Sequence, residues 1–287
     1  MSNIYQKVKY ISSLGEIDFK NSEPIILQSI TGLSETKADH TTTKYINQDG
    51  EKYEKSNLNK KEIVIKFLLI GNSHEDYMNY RNKILRVINP KAGEGELIYS
   101  YGDIQRSIKL VPDESPTMPI KSNTKFAECE VVLLAHDPYM KDVMEYGEEI
   151  CTWVGGMSFK FSLPLSFKKR GETKQNIYNN GHVETPIKIY FKGPANNPCV
   201  INHSTGEFVK VNRELTSDDT LIINTEFSNK TVEIERNGVR TNAFNYIDLD
   251  STFFNLRVGD NLIEYTTENN LTPQSVEIRY RNRYIGI

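Results

Sequence analysis

Histidines, cysteines and paired carboxylates are the residues here with chemistry to offer. The five histidines are His40, His74, His136, His182 and His203. A zinc site on a helix wants two of them four residues apart, so that both imidazoles leave one face. No pair has that spacing, and each stands beside turn residues. The cysteines Cys129, Cys151 and Cys199 are odd in number and form no Cys-x-x-Cys pair. They announce neither a metal knuckle nor a disulfide framework, and they suit a chain made in a reducing cytosol. Cys129, inside the alternating Glu128-Cys129-Glu130-Val131, reads as a small buried apolar residue.

Glu148-Glu149, Asp218-Asp219 and the Asp248, Asp250 pair raise paired-carboxylate catalysis or calcium. Calcium loops need several oxygen ligands at fixed intervals and a glycine at the sharp bend, which these stretches lack. They read as polar turn residues. Trp153, the single tryptophan, stands before Gly155-Gly156 and reads as a buried anchor, with sugar stacking as the alternative. No Gly-x-Ser-x-Gly elbow or phosphate loop occurs, and Gly93-Glu94-Gly95 lacks the third glycine of a dinucleotide fingerprint. Asn202-His203-Ser204, Asn229-Lys230-Thr231 and Asn270-Leu271-Thr272 match glycosylation acceptors, which carry no meaning without export. No catalytic, cofactor-binding or metal-binding residue is assigned, no cofactor is expected, and the chain reads as non-enzymatic.

With 287 residues, 38% hydrophobic and 25% charged, the chain can bury two cores at about 150 residues per domain. The 16 tyrosines and 12 phenylalanines, with many β-branched residues, favour sheet. Net charge is −3, with both signs interspersed. Proteins that grip DNA phosphates show a basic surplus or stripe, so direct nucleic-acid binding is not expected. The one tight basic run, Lys168-Lys169-Arg170, reads as a solvated turn beside Gly171. Met1-Ser2-Asn3-Ile4-Tyr5 lacks a basic-then-apolar pattern, so no signal peptide is expected. The longest apolar stretch, Ile63 to Ile70, is too short to span a bilayer, and no membrane insertion is expected.

Alternation predicts strands at Ile4–Val8, Gly15–Phe19, Pro24–Ile30 and Ile63–Ile70, with the polar residues 40–59 as a long exposed loop or hairpin. One helix, at about 73–89, follows from the Ser73 cap, Glu75 and Asp76 in the first turn, and Tyr77, Ile84, Leu85 and Ile88 on one face. Asn89-Pro90 ends it. Further strands are expected at 93–99, 107–111 and 126–135. The first domain, 1–140, is thus a β sandwich or split barrel with one packed helix. The second, 141–287, carries only strand and turn signals at sandwich spacing. Its clearest element is the hairpin around Asn237-Gly238, whose register sets Glu235 opposite Arg240. The fold class is mostly β.

In order along the chain, Gly15-Glu16-Ile17-Asp18-Phe19, the helix with Ile88-Asn89-Pro90, Gly95 to Tyr99 and Leu134 to Tyr139 resemble one known family. Asn180-Gly181, Thr185 to Ile189, Gly193 with Asn197-Pro198, Thr205-Gly206, Asn237-Gly238 and Leu256 to Asn261 continue the likeness. That family is the siphophage distal tail (Dit) proteins. The resemblance implies a homo-hexameric hub ring at the virion tail tip, made in the bacterial host cytoplasm. The first domain would build the ring. The second, a galectin-like β-sandwich, would hold receptor-binding or baseplate proteins. The ring would join the tail tube protein to the tail-associated protein, and DNA would pass through it without specific binding. Two other readings remain: a lectin-like carbohydrate-binding protein, and a baseplate part of a phage-derived contractile or bacteriocin particle.

Overall fold

The computed structural model describes residues 6–120, 123–150, 173–268 and 275–287, and residues 153–154 and 169–170 as backbone. Two compact units emerge: Met1–Val143 with Tyr284–Ile287, and Met144–Arg283.

The first unit holds β1 (Gln6–Ser12), β2 (Gly15–Phe19), β3 (Ile25–Thr31), β4 (Ala38–Thr43), β5 (Lys52–Leu58) and β6 (Lys61–Ile70). Helix α1 (His74–Val87) follows, then β7 (Gly95–Tyr101), β8 (Ile104–Pro112), β9 (Phe126–Ala135) and β10 (Met140–Asp142). The main sheet runs in the order β2-β1-β7-β8-β9-β6-β3. Strand β8 pairs with β7 from Ile104 to Leu110 but meets β9 only through Val111 and Pro112. The sheet therefore turns over at β8, and an isolated parallel bridge, Lys20 to Ile26, brings its two edges together. Of the two forms the sequence left open, β sandwich or split barrel, that is the split barrel.

Period-two alternation builds the core. In β6 the residues Ile63, Ile65, Phe67 and Leu69 are fully buried while the residues between them face out. Phe67 meets Phe19 edge to face, centroids 5.1 Å apart. The Ser73 hydroxyl accepts from the Asp76 amide at 3.1 Å, capping α1, and Tyr77, Ile84 and Val87 are its buried residues. Ile88 closes the helix by donating to the Ile84 carbonyl. Cys129 is buried in β9, as its alternation implies. Phe126, at the start of that strand, is exposed, because the alternation turns it outwards.

The second unit holds β11 (Tyr146–Ile150), β12 (Trp153–Val154), β13 (Lys169–Arg170), β14 (Lys174–Asn179), β15 (Ile187–Lys192), β16 (Ala195–Asn202) and β17 (Glu207–Lys210). It continues with β18 (Glu214–Leu215), β19 (Asp219–Asn224), β20 (Thr231–Arg236), β21 (Val239–Asn242), β22 (Gly259–Glu268) and β23 (Ser275–Tyr280). One sheet runs β11-β23-β15-β19-β20-β21 and another β14-β22-β16-β17, with β18 beside β16. Their inward residues form one core, and Phe191 of β15 meets Tyr265 of β22 edge to face at 5.9 Å. The unit is a two-sheet sandwich. Asn237 and Gly238 both take positive φ, 51° and 76°, and Glu235 pairs with Arg240, Nε to Oε2 at 2.7 Å.

Asparagine side chains hold the connections. Asn261 donates to the carbonyls of Arg257 and Gly259 at 2.8 and 3.0 Å and accepts from the Arg257 amide, fixing the turn into β22. Asn179 does the same for the Val183 and Leu256 carbonyls and the Gly181 amide. Both are fully buried, where an unsatisfied amide would be costly. After β23, the strand β24 (Arg283–Tyr284) pairs with β10 and residues 284–287 rejoin the first unit.

Candidate assembly surface

The residues singled out for chemistry do not converge. His74 Nδ1 contacts the Thr124 carbonyl at 2.9 Å, His203 Nε2 contacts Glu264 at 2.5 Å, and His136 and His182 are exposed. Among the described residues no three His, Cys, Asp or Glu side chains are placed to hold a metal. Asp248 accepts from Asn212 and from the Asp250 amide, an exposed turn as expected. Glu148 and Glu149 lie in β11 instead of a turn, and Glu148 accepts from Gln175 at 2.8 Å. Asp219 also departs from the turn reading. It begins β19, is 3% exposed, and its carboxylate takes a two-point fork from Arg236. The fork, from seventeen residues away, holds its carboxyl well below the usual range, helped by the Thr216 amide and hydroxyl. The Trp153 side chain, Cys151, Lys168 with Gly171, and Asn270 to Thr272 lie outside the described residues.

One nucleophile does meet a base. His40 Nδ1 stands 2.6 Å from Ser56 Oγ, which also touches the Tyr53 hydroxyl at 2.8 Å. All three residues are exposed on strands β4 and β5, not in a cleft. A solvated hydroxyl–imidazole contact has no cavity in which to orient a substrate. It braces a hairpin.

Among the described residues, that hairpin has little support beyond itself. Thr41, Thr42 and Thr43 supply β-branched residues, and Asn47 and Gly50 turn the tip with φ of 62° and 84°. Among the described residues, strands β4 and β5 pair only with each other, from Ala38 opposite Leu58 to Thr43 opposite Lys52. Almost every side chain on both faces is open to water. Glu51 accepts from Thr42, and Lys52 pairs with Glu54, but no core lies beneath. A lone two-stranded ribbon in water is marginal. The tip nevertheless shows Ile46, 93% exposed, with Tyr45 beside it in sequence, and Tyr53 is exposed along β5. An exposed apolar tip on an arm without a core of its own is a candidate contact surface. Its polar composition was legible as a loop or hairpin, but its isolation from every other strand was not.

The second unit carries its own exposed apolar groups. Phe227 and Leu249 stand almost fully in water, and Phe244 stacks on Phe253 at 5.7 Å. Its edge strand β21 is exposed at every residue.

Two family descriptions match this chain. "Phage tail protein RIFT-related domain" covers residues 12–134, and "Siphovirus-type tail component, C-terminal domain" covers residues 180–284. Among solved structures, the chain is similar to the SPP1 Dit (gp 19.1) protein, described as a paradigm of the hub adsorption apparatus in phages infecting Gram-positive bacteria. The TM-score is 0.66 at 14% identity, over 96% of this chain and 98% of that one. It is also similar to chains of the phage P2 baseplate in its activated conformation, with Ca and with Sr. Both give a TM-score of 0.55 over 98% of this chain and 99% of theirs, at 14% and 13% identity. No curated protein matches.

Proposed function

The chain belongs to the siphophage distal tail protein family and is a phage tail component, and from that premise we propose that it forms a hexameric hub ring at the tail tip. The first unit builds the ring. The hairpin of residues 38–58 reaches to a second copy of the chain, where its ribbon gains the surface it lacks. This projecting, coreless hairpin is the observation that carries the reading. The ring joins the tail tube protein above to the tail-associated protein below. The second unit, a galectin-like sandwich, offers its outer surface to receptor-binding or other baseplate proteins. DNA passes through the ring without specific binding, in keeping with a net charge of −3 and no basic stripe. The role is structural and not catalytic, carried out in the virion after synthesis in the host cytoplasm.

Mass photometry with negative-stain microscopy over a concentration series tests this. Six-fold rings with a central hole are expected. A monomer at every concentration, even with tail tube or tail-associated protein added, overturns the ring.

A further inference from the structure

Strand β6 begins with a charge in the wrong place. Its inward series is Lys61, Ile63, Ile65, Phe67 and Leu69, and Lys61 is 1% exposed. A buried ammonium needs partners, and among the described residues no carboxylate reaches it as an ion pair. Its Nζ instead donates to two backbone carbonyls, Leu33 at 3.0 Å and Ile285 at 2.5 Å.

Those positions share a feature. Leu33 lies just before the hairpin of residues 38–58, Lys61 just after it, and Ile285 in the segment that follows the second unit. Three stretches far apart in sequence meet at the hairpin's root. Thr36 Oγ1 donates to the same Ile285 carbonyl at 3.2 Å, so both its lone pairs are used, and Ser34 Oγ donates to the Ile287 carbonyl at 3.3 Å. Gly286 packs so closely that a Cβ there would lie 2.7 Å from Ser34 Cα. The segment is anchored upstream by Tyr284, which is buried in the first unit's core under the Arg106 guanidinium, 3.7 Å from the ring centre. Its hydroxyl donates to Asp142, which also pairs with Arg106 at 2.6 Å. The root also has a backbone tie of its own, the Asn59 amide to the Lys37 carbonyl.

We propose that residues 284–287 are a strap that orders the root of the assembly hairpin, with Lys61 as the positioning residue that ties strap and root together. This rests on the hairpin being the ring contact. The strap follows directly on the second unit's Arg283 in sequence. A burial-lowered lysine pKa fits an ammonium held by carbonyls alone, with only the more distant Glu35 charge opposing it.

Hydrogen–deuterium exchange on the full chain tests the strap without needing a ring. Gly286→Val drives the strap off Ser34, Lys61→Met removes the tie, and Thr36→Val, nearly isosteric, removes one bond at little risk to folding. Exchange in peptides spanning 36–59 is expected to rise tenfold or more in the first two variants and several-fold in the third. The β9 peptide, 126–135, should stay protected. Unchanged hairpin exchange in all three overturns the strap. So does a loss of protection spread equally to β9, since the contacts would then support the whole unit and not the root. Failure of the wild type to form rings would sink the ring reading and leave this measurement standing.

Discussion

Asp219 and Arg236 face each other at the end of the β19–β20 pairing and join by two parallel bonds, Nε to Oδ1 at 2.7 Å and Nη2 to Oδ2 at 2.8 Å. The carboxylate is buried while the guanidinium remains largely in water. The pair thus closes one end of an antiparallel ladder with planar, two-point geometry that a lysine could not supply.

Acid should loosen the second unit through this carboxylate. A carboxyl held low in the fold lends stability that is complete above the unfolded value of about 3.9 and is lost as pH falls through the folded one. Asp219→Asn should cost roughly 1–3 kcal/mol at neutral pH, since it takes the charge from the buried acceptor of a two-point, charge-assisted pair. It should also flatten the fall in stability below about pH 4. Urea midpoints across a pH series read both, and parallel curves for the two proteins would refute the assignment.

Lys61 predicts a slope of the same sign at the alkaline end, with stability rising as pH rises. Burial lowers its pKa, so the fold carries a cost while the amine is charged, and that cost is relieved as pH rises through the folded value towards the unfolded one of about 10.4. The stability difference between wild type and Lys61→Met should therefore shift in the wild type's favour as pH rises in that window. A difference independent of pH would show that the lysine titrates as if in water.

Thiol chemistry should be quiet at two of the cysteines. Burial pushes the Cys129 thiol up to about 11 and raises that of Cys199. Since the thiolate is the reactive form, iodoacetamide at about pH 8 should leave both unmodified in the native protein and label both in urea. Peptide mass mapping checks each site, and rapid native labelling at Cys129 would contradict its place in β9.

Removing the Phe67 ring should cost about 3–5 kcal/mol, because it is fully buried against Phe19 and leaves a cavity in the split barrel. Thermal or denaturant unfolding of Phe67→Ala measures it. A loss under about 1 kcal/mol would mean the site collapses without cost.

The hairpin tip offers the sharpest functional separation. Ile46 is almost wholly exposed, so Ile46→Asp should change stability by no more than about 0.5 kcal/mol. The same change should abolish ring particles in mass photometry if the tip meets a second copy. Rings unaffected by Ile46→Asp and Tyr45→Ser together would place the contact elsewhere.

What could be read from the sequence was local. Ser73, the acidic first turn and Asn89-Pro90 announce α1 because caps and proline act within a few residues. Asn237-Gly238 announces its hairpin, and even the Glu235–Arg240 pair, for the same reason. Asp219 and Lys61 were illegible because their partners come from residues 236, 33 and 285. A charge at a strand's first position looks like the polar end of an apolar run until the long-range acceptors are known. The hairpin of residues 38–58 was visible as a polar stretch with turn chemistry. Its importance lies in the missing third strand, which is a property of topology and not of composition.

The return of residues 284–287 to the first unit also sets an order in time. During translation the first unit's barrel strands emerge early, but Tyr284 and the acceptor for Lys61 leave the ribosome only after all of the second unit. The tie from Lys61 to the Ile285 carbonyl can therefore form only once the second unit has been made.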